Sequence, residues 1–160
     1  MRHAIAILVA TLLAFGAIGC YGSGTSPIDL PVAPASAITV AAPTGTISGT
    51  VAATMIQNTS DCPPAFGVGL RASTNGGAVS VVFPRWPDEG SVYDLSAPGT
   101  SDFVNVSARA AGHAYCVPDE GAAGTVVVNR FERVGERYLA DVVVSGAVAG
   151  ATTIDAHLYQ

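Results

Sequence analysis

The stretch Thr46-Ile47-Ser48-Gly49-Thr50-Val51-Ala52-Ala53-Thr54-Met55 sets the chain to a period of two. Ile47, Gly49, Val51, Ala53 and Met55 fall on one side; Thr46, Ser48, Thr50 and Thr54 fall on the other. That is the pattern of a half-buried β-strand. The same rhythm continues downstream. Phe66, Val68 and Leu70 form the next apolar face, and Asn75-Gly76-Gly77 is a hairpin signal leading to Val79, Val81 and Phe83. Pro87-Asp88-Glu89-Gly90 turns the chain toward residues 92–95, and Ala97-Pro98-Gly99 turns it again into 103–108. A short strand over 113–117 follows, then a hairpin of 126–131 and 138–144 around Gly135, and 152–159 closes the chain. These are about nine short antiparallel strands with no helical pattern among them. The fold class expected is all-β, a single β-sandwich in which each sheet buries one face. A small closed barrel is the alternative.

Composition agrees. Of 160 residues only 12% are charged and 49% are hydrophobic, with 18 Gly and 10 Pro, whereas a helical bundle would be rich in Leu, Glu and Lys. All seven basic residues are Arg, set against twelve Asp and Glu, for a net charge of −5. A surface of that sign repels phosphate backbones, which excludes a nucleic-acid partner. Arg130, Arg133 and Arg137 lie close together, but Glu132 and Glu136 are interleaved, as at a solvated hairpin tip.

The N-terminus reads differently. Met1-Arg2-His3 is a short cationic start, and 4–18 is apolar except for Thr11 and Gly16. The run suits a signal-peptide core and is shorter than the ~20 residues that span a bilayer. It ends Ala17-Ile18-Gly19-Cys20, which resembles the lipobox of bacterial lipoproteins, with Ala17 where the family usually has Leu. The resemblance implies diacylglycerol on the Cys20 thiol, cleavage before that residue, and a membrane anchor formed by its acyl chains. Tyr21 rather than Asp after the cysteine implies, by the same analogy, the outer membrane of the cell envelope.

Cysteine arithmetic fits this compartment. With Cys20 acylated, Cys62 and Cys116 remain as an even pair for a disulfide. Closing that loop of ~55 residues would contribute roughly 4 kcal/mol in the chain-entropy account. Residues 20–45 carry Pro27, Pro31, Pro34 and Pro43 among Gly, Ala, Ser and Thr, a composition that reads as a tether. The expected organisation is thus a signal peptide at 1–19, an acylated tether at 20–45 and a β-sandwich at 46–160.

Two resemblances concern the domain. Tyr93-Asp94-Leu95-Ser96, the run from Gly124 to Phe131 and Val134-Gly135-Glu136-Arg137-Tyr138 look like small β-sandwich lipoproteins of unassigned function. Gly45-Thr46-Ile47-Ser48-Gly49-Thr50-Val51 with Ala97-Pro98-Gly99 is similar to carboxypeptidase-regulatory-like modules, without the tyrosine expected after the Pro-Gly turn. Both imply a sandwich without catalysis.

Candidate chemistry is sparse. Asp155-x-His157 places two potential metal ligands on one face of the last strand, but no third is evident and zinc needs at least three. His113 could serve a Ser/His/Asp set, yet there is no Gly-x-Ser-x-Gly elbow. Asp88-Glu89 are neighbours in a solvated turn. Asn58-Thr59-Ser60 and Asn105-Val106-Ser107 match the glycosylation sequon, without meaning for a bacterial lipoprotein. Trp86, between Pro84 and Pro87 and beside Arg85, suits a protein or glycan contact; the competing role is a lid over the open end of the sandwich. The expected function is a non-catalytic envelope lipoprotein that binds a partner or serves structurally, with no cofactor. The alternative is an envelope hydrolase whose His113 or His157 would lie beside a nucleophile or carboxylate.

Overall fold

The computed structural model describes residues 34–59, 65–96, 104–117, 122–148 and 152–160. Among them are no helix and eleven strands: β1 (Ser36–Ala42), β2 (Gly45–Val51), β3 (Ala53–Thr59), β4 (Ala65–Thr74), β5 (Gly77–Phe83), β6 (Val92–Asp94), β7 (Asn105–Ala110), β8 (His113–Val117), β9 (Ala123–Val134), β10 (Arg137–Val148) and β11 (Thr152–Tyr159). All neighbours pair antiparallel. A six-stranded sheet has the order β2-β1-β11-β10-β9-β6 and a five-stranded sheet the order β3-β4-β5-β7-β8. The fold is a β-sandwich.

Two differences raise the strand count from nine to eleven. The run 46–55 is not one strand: it breaks at Ala52, so β2 edges the six-stranded sheet and β3 edges the five-stranded one. The other is β1, which lies inside the stretch expected to be tether. Ile38 and Val40 alternate with Ala37, Thr39 and Ala41, and the small side chains hide the pattern in a Pro-rich context. The first described strand therefore begins ten residues before Thr46, at Ser36. Ala97-Pro98-Gly99 lies outside the described residues, as does the start of the strand expected at 103.

The core lies between the sheets. Ile38, Val40, Val126, Val128, Val142, Val144, Ile154 and Leu158 from one side meet Leu70, Val79, Val81, Phe83 and Val106 from the other. Each such side chain contributes roughly 1.5–3 kcal/mol when fully removed from water. A β-bulge keeps β9 on the core. Arg130 pairs with Asp141 but Val128 pairs with Val142, so Asn129 is the extra residue. The bulge lets Val126, Val128 and Phe131 all point inward while Asn129 and Arg130 both face water.

Turns follow local chemistry. Gly135 has φ 64° in the two-residue β9–β10 turn, the Gly-first hairpin geometry. At the β7–β8 turn Ala111 (φ 49°) and Gly112 (φ 83°) are both left-handed. An alanine held there costs about 1 kcal/mol.

The chain enters and leaves at one end. The Ser36 hydroxyl accepts from Tyr159 N at 2.8 Å and donates to Tyr159 O at 3.2 Å. Gln160 and Ala140 exchange backbone hydrogen bonds at 3.0 and 3.1 Å. From the Ala140–Phe131 pair the β9–β10 hairpin runs on for three further pairs, ending at Arg137–Val134. At ~3.3 Å per residue it projects roughly 10 Å beyond the chain entry.

Candidate functional site

The entry end carries an aromatic group. Phe83, at the end of β5, packs tilted on Tyr93 at 5.5 Å and edge-on to Phe131 at 5.6 Å. Trp86 follows three residues later and sits edge-on to Phe131 at 5.0 Å and tilted to Tyr138 at 5.9 Å. Its Nε1 donates to the Phe131 carbonyl at 3.1 Å. The Arg133 guanidinium lies 5.8 Å from the Tyr138 ring centre. Pro87 is buried, while Pro84 and Arg85 are exposed. Trp86 itself remains 43% exposed, so it is seated on the sandwich and still presents a ring to the outside. One side of the ring covers Phe131 and Tyr138, and the rest of it is open to the outside. On the segments that carry this group, 84–90 and 130–141, Arg85, Arg130, Arg133 and Arg137 stand against Asp88, Glu89, Glu132, Glu136 and Asp141. Arg130 is paired with Glu132, and Arg133 Nε donates to the Gly135 carbonyl at 3.0 Å.

A second cluster lies on the outward face of the six-stranded sheet. His157 Nε2 is 2.7 Å from Asp141 Oδ1, and the Tyr159 hydroxyl is 2.9 Å from His157 Nδ1. Asn129 Nδ2, on the bulge, donates to the same carboxylate oxygen at 3.1 Å. The arrangement suits the tautomer in which Nε2–H donates to Asp141 and Nδ1 accepts from Tyr159. The His157 and Tyr159 rings stack at 4.1 Å. The Asp155 expected beside His157 instead accepts from Ser145 Oγ at 2.9 Å. The register places Tyr159 opposite Asp141 and His157 diagonal to it, which brings the Asp141 carboxylate within reach of the imidazole. The signal for this chain of groups was the shared face of His157 and Tyr159; its carboxylate came from pairing register, which residue order does not carry.

Geometrically, this is a hydroxyl–imidazole–carboxylate relay, but it stands on an open strand face. Two shallow grooves lie elsewhere, about 620 Å³ between β2 and the β4–β5 turn and about 280 Å³ beside Arg71 and Arg109. Neither is lined by a histidine or a carboxylate. Among the described residues no three His, Cys, Asp or Glu converge as metal ligands.

The remaining candidates are dispersed. Cys20 and Cys62 lie outside the described residues. Cys116 is half-buried on β8, opposite Ser107. His113 is exposed at the start of β8, away from His157. The Asp88 backbone carbonyl accepts from Ser91 N at 3.2 Å, closing the turn that carries exposed Asp88 and Glu89. Asn105 of the second sequon is buried.

In comparisons with known proteins, no family model, no curated protein and no solved structure matches the chain.

Proposed function

We propose that the chain is a non-catalytic lipoprotein of the bacterial envelope, anchored through acylated Cys20, that acts by binding or as a structural module. Its contact surface is the end that carries Trp86 and Arg85. The observation behind this is the seating of Trp86: a ring fixed by a hydrogen bond and two aromatic neighbours, yet 43% exposed. A pre-seated aromatic loses little freedom on contact, so more of the interaction survives as affinity, and Trp, Tyr and Arg dominate binding hot spots. A Cys62–Cys116 bridge belongs to the same reading. It would close the ~55-residue loop between them in an oxidising compartment.

The test has two arms. Metabolic fatty-acid labelling should mark the wild-type chain and not Cys20→Ser. A photo-reactive side chain at position 85 should then cross-link an envelope component in living cells, while the same group at position 75, in the β4–β5 turn, should not. Labelling that survives in Cys20→Ser, or equal cross-linking from both positions, would overturn the proposal.

One observation favours a hydrolase as the second reading: His157 lies beside both a carboxylate and a hydroxyl. Against it stands the open strand face, which offers no enclosed place for a substrate and no water exclusion. On our reading, purified wild-type and His157→Ala chains show the same background turnover on ester and amide substrates.

A further inference from the structure

We infer that the Trp86 end of the sandwich rests against the phospholipid headgroup layer of the membrane in which the chain is anchored. This builds on the anchoring and contact readings above and identifies what occupies the contact surface.

Four observations converge on that occupant. First, the described chain begins at the end of the sandwich that carries the surface. Ser36 begins β1 next to Tyr159, Gln160 pairs with Ala140, Ala140 pairs with Phe131, and Phe131 receives the Trp86 indole. Second, the β9–β10 hairpin that carries Arg133, Arg137 and Tyr138 projects roughly 10 Å past that line, toward the side from which the chain arrives. Fifteen residues lie between Cys20 and Ser36. A chain of that length spans about 20–50 Å between its coil and extended limits, so the hairpin tip stays within reach of the bilayer at high effective concentration.

Third, the side chains suit an interface. The Trp86 N–H is already bonded to Phe131, which leaves mainly the hydrocarbon part of the indole for the outside. Tyr138 lies beside it, with the Arg133 guanidinium over its ring. Trp and Tyr populate membrane–water interfaces because one end of each is apolar and the other wet, and Arg covers apolar surface with its stem while its head reaches phosphate. Fourth, this end gathers four of the seven arginines, Arg85, Arg130, Arg133 and Arg137, against five carboxylates, Asp141 opposite Arg130 included, although the domain as a whole is acidic. An end so close to balance is only weakly repelled by an anionic surface. Nor does it need one, so the phosphate common to all phospholipids is the group recognised.

Trp86 is the sole tryptophan, so indole fluorescence reports on this surface alone. The full-length acylated protein would be reconstituted into phosphatidylcholine vesicles with and without bromine on the acyl chains. Emission should be lost in the brominated vesicles, shifted to shorter wavelength, and little changed when an anionic phospholipid is added. Emission equal in both vesicle types and fully quenched by iodide would overturn the lipid assignment. So would shielding from iodide seen only in native envelopes, which would point to a protein on the same surface and leave the contact reading standing. An intact mass without acyl chains would overturn the anchoring reading and this inference together.

Discussion

On the six-stranded sheet the outward side chains form rungs in contact with water; on the five-stranded sheet the outward side chains of β5, with Asn105 and Ser107 of β7, are buried. Ser48, Thr39, Asp155, Ser145, Thr125 and Asp94 lie in register across all six strands of the first sheet, a continuous row of hydroxyls and carboxylates. Val92, on the short edge strand, is 63% exposed. The corresponding face of the second sheet holds Ala78, Ser80 and Val82 opposite Arg109, Ser107 and Asn105. Ser80, Val82, Ser107 and Asn105 point away from the core and yet are between 1% and 6% exposed. Glycine lets the backbone lie close on this sheet, since a Cβ on Gly69 would collide with the Val81 carbonyl oxygen. The Ser80 and Ser107 hydroxyls and the Asn105 carbonyl oxygen make no hydrogen bond. The difference teaches that alternation assigns a side chain to a face and says nothing about whether that face is wet. β11, strictly alternating, has one dry side; β5, with Val79, Val81, Val82 and Phe83 nearly unbroken, has two.

The comparison can be broken most sharply with one charge placed on each face. Val82→Asp should cost about 3–5 kcal/mol by denaturant titration, because the carboxylate is buried without a partner, whereas Val92→Asp should stay within about 0.5 kcal/mol. Equal small losses would mean that the outward face of the five-stranded sheet is as wet as its counterpart.

A subtler change concerns the orphaned hydroxyls. Removing both in Ser80→Ala/Ser107→Ala should raise stability by about 1 kcal/mol, since each buried hydroxyl now carries its desolvation cost without a bond in return. Destabilisation would show that these oxygens have partners in solution.

The smallest effect belongs to the wet face. Ser96 Oγ and then Ser96 N donate to Asp94 Oδ1, at 2.7 and 2.8 Å, and these bonds hold the exposed Asp94 carboxyl below its ordinary value. A depressed folded-state value means that this contribution is present above the ordinary carboxylate range and lost as pH falls through the lowered one. Asp94→Asn should therefore flatten the acid side of the melting-temperature profile slightly and leave its neutral region unchanged. An identical acid limb in both proteins would remove Asp94 from the acid response.

Much of this architecture was legible in the amino acids. The inward side of residues 46–55, the Asn75-Gly76 and Gly135 turns and the 152–159 strand read correctly, because period and turn chemistry belong to neighbouring residues; the single strand expected over 46–55 did not, because sheet membership does not belong to them. β1 escaped because Ala and Ser share both faces of a short strand in a Pro-rich stretch, which blurs its period. At the candidate sites, Trp86 was visible as an aromatic between prolines, but its hydrogen bond to Phe131, 45 residues away, was not. The Asp141–His157–Tyr159 chain escaped for a related reason. Its members lie on two strands whose register depends on the whole sheet.

By itself the sequence determined that the domain is all-β, which side of most strands faces inward, and where several of the turns fall. Only the tertiary structure decided that 46–55 divides at Ala52 between two sheets, that His157 takes Asp141 rather than Asp155, and that Ser80 and Ser107 are dry. Alternation arises from the pleat of a single strand, whereas sheet membership, register and the covering of a face depend on contacts between residues far apart in the chain.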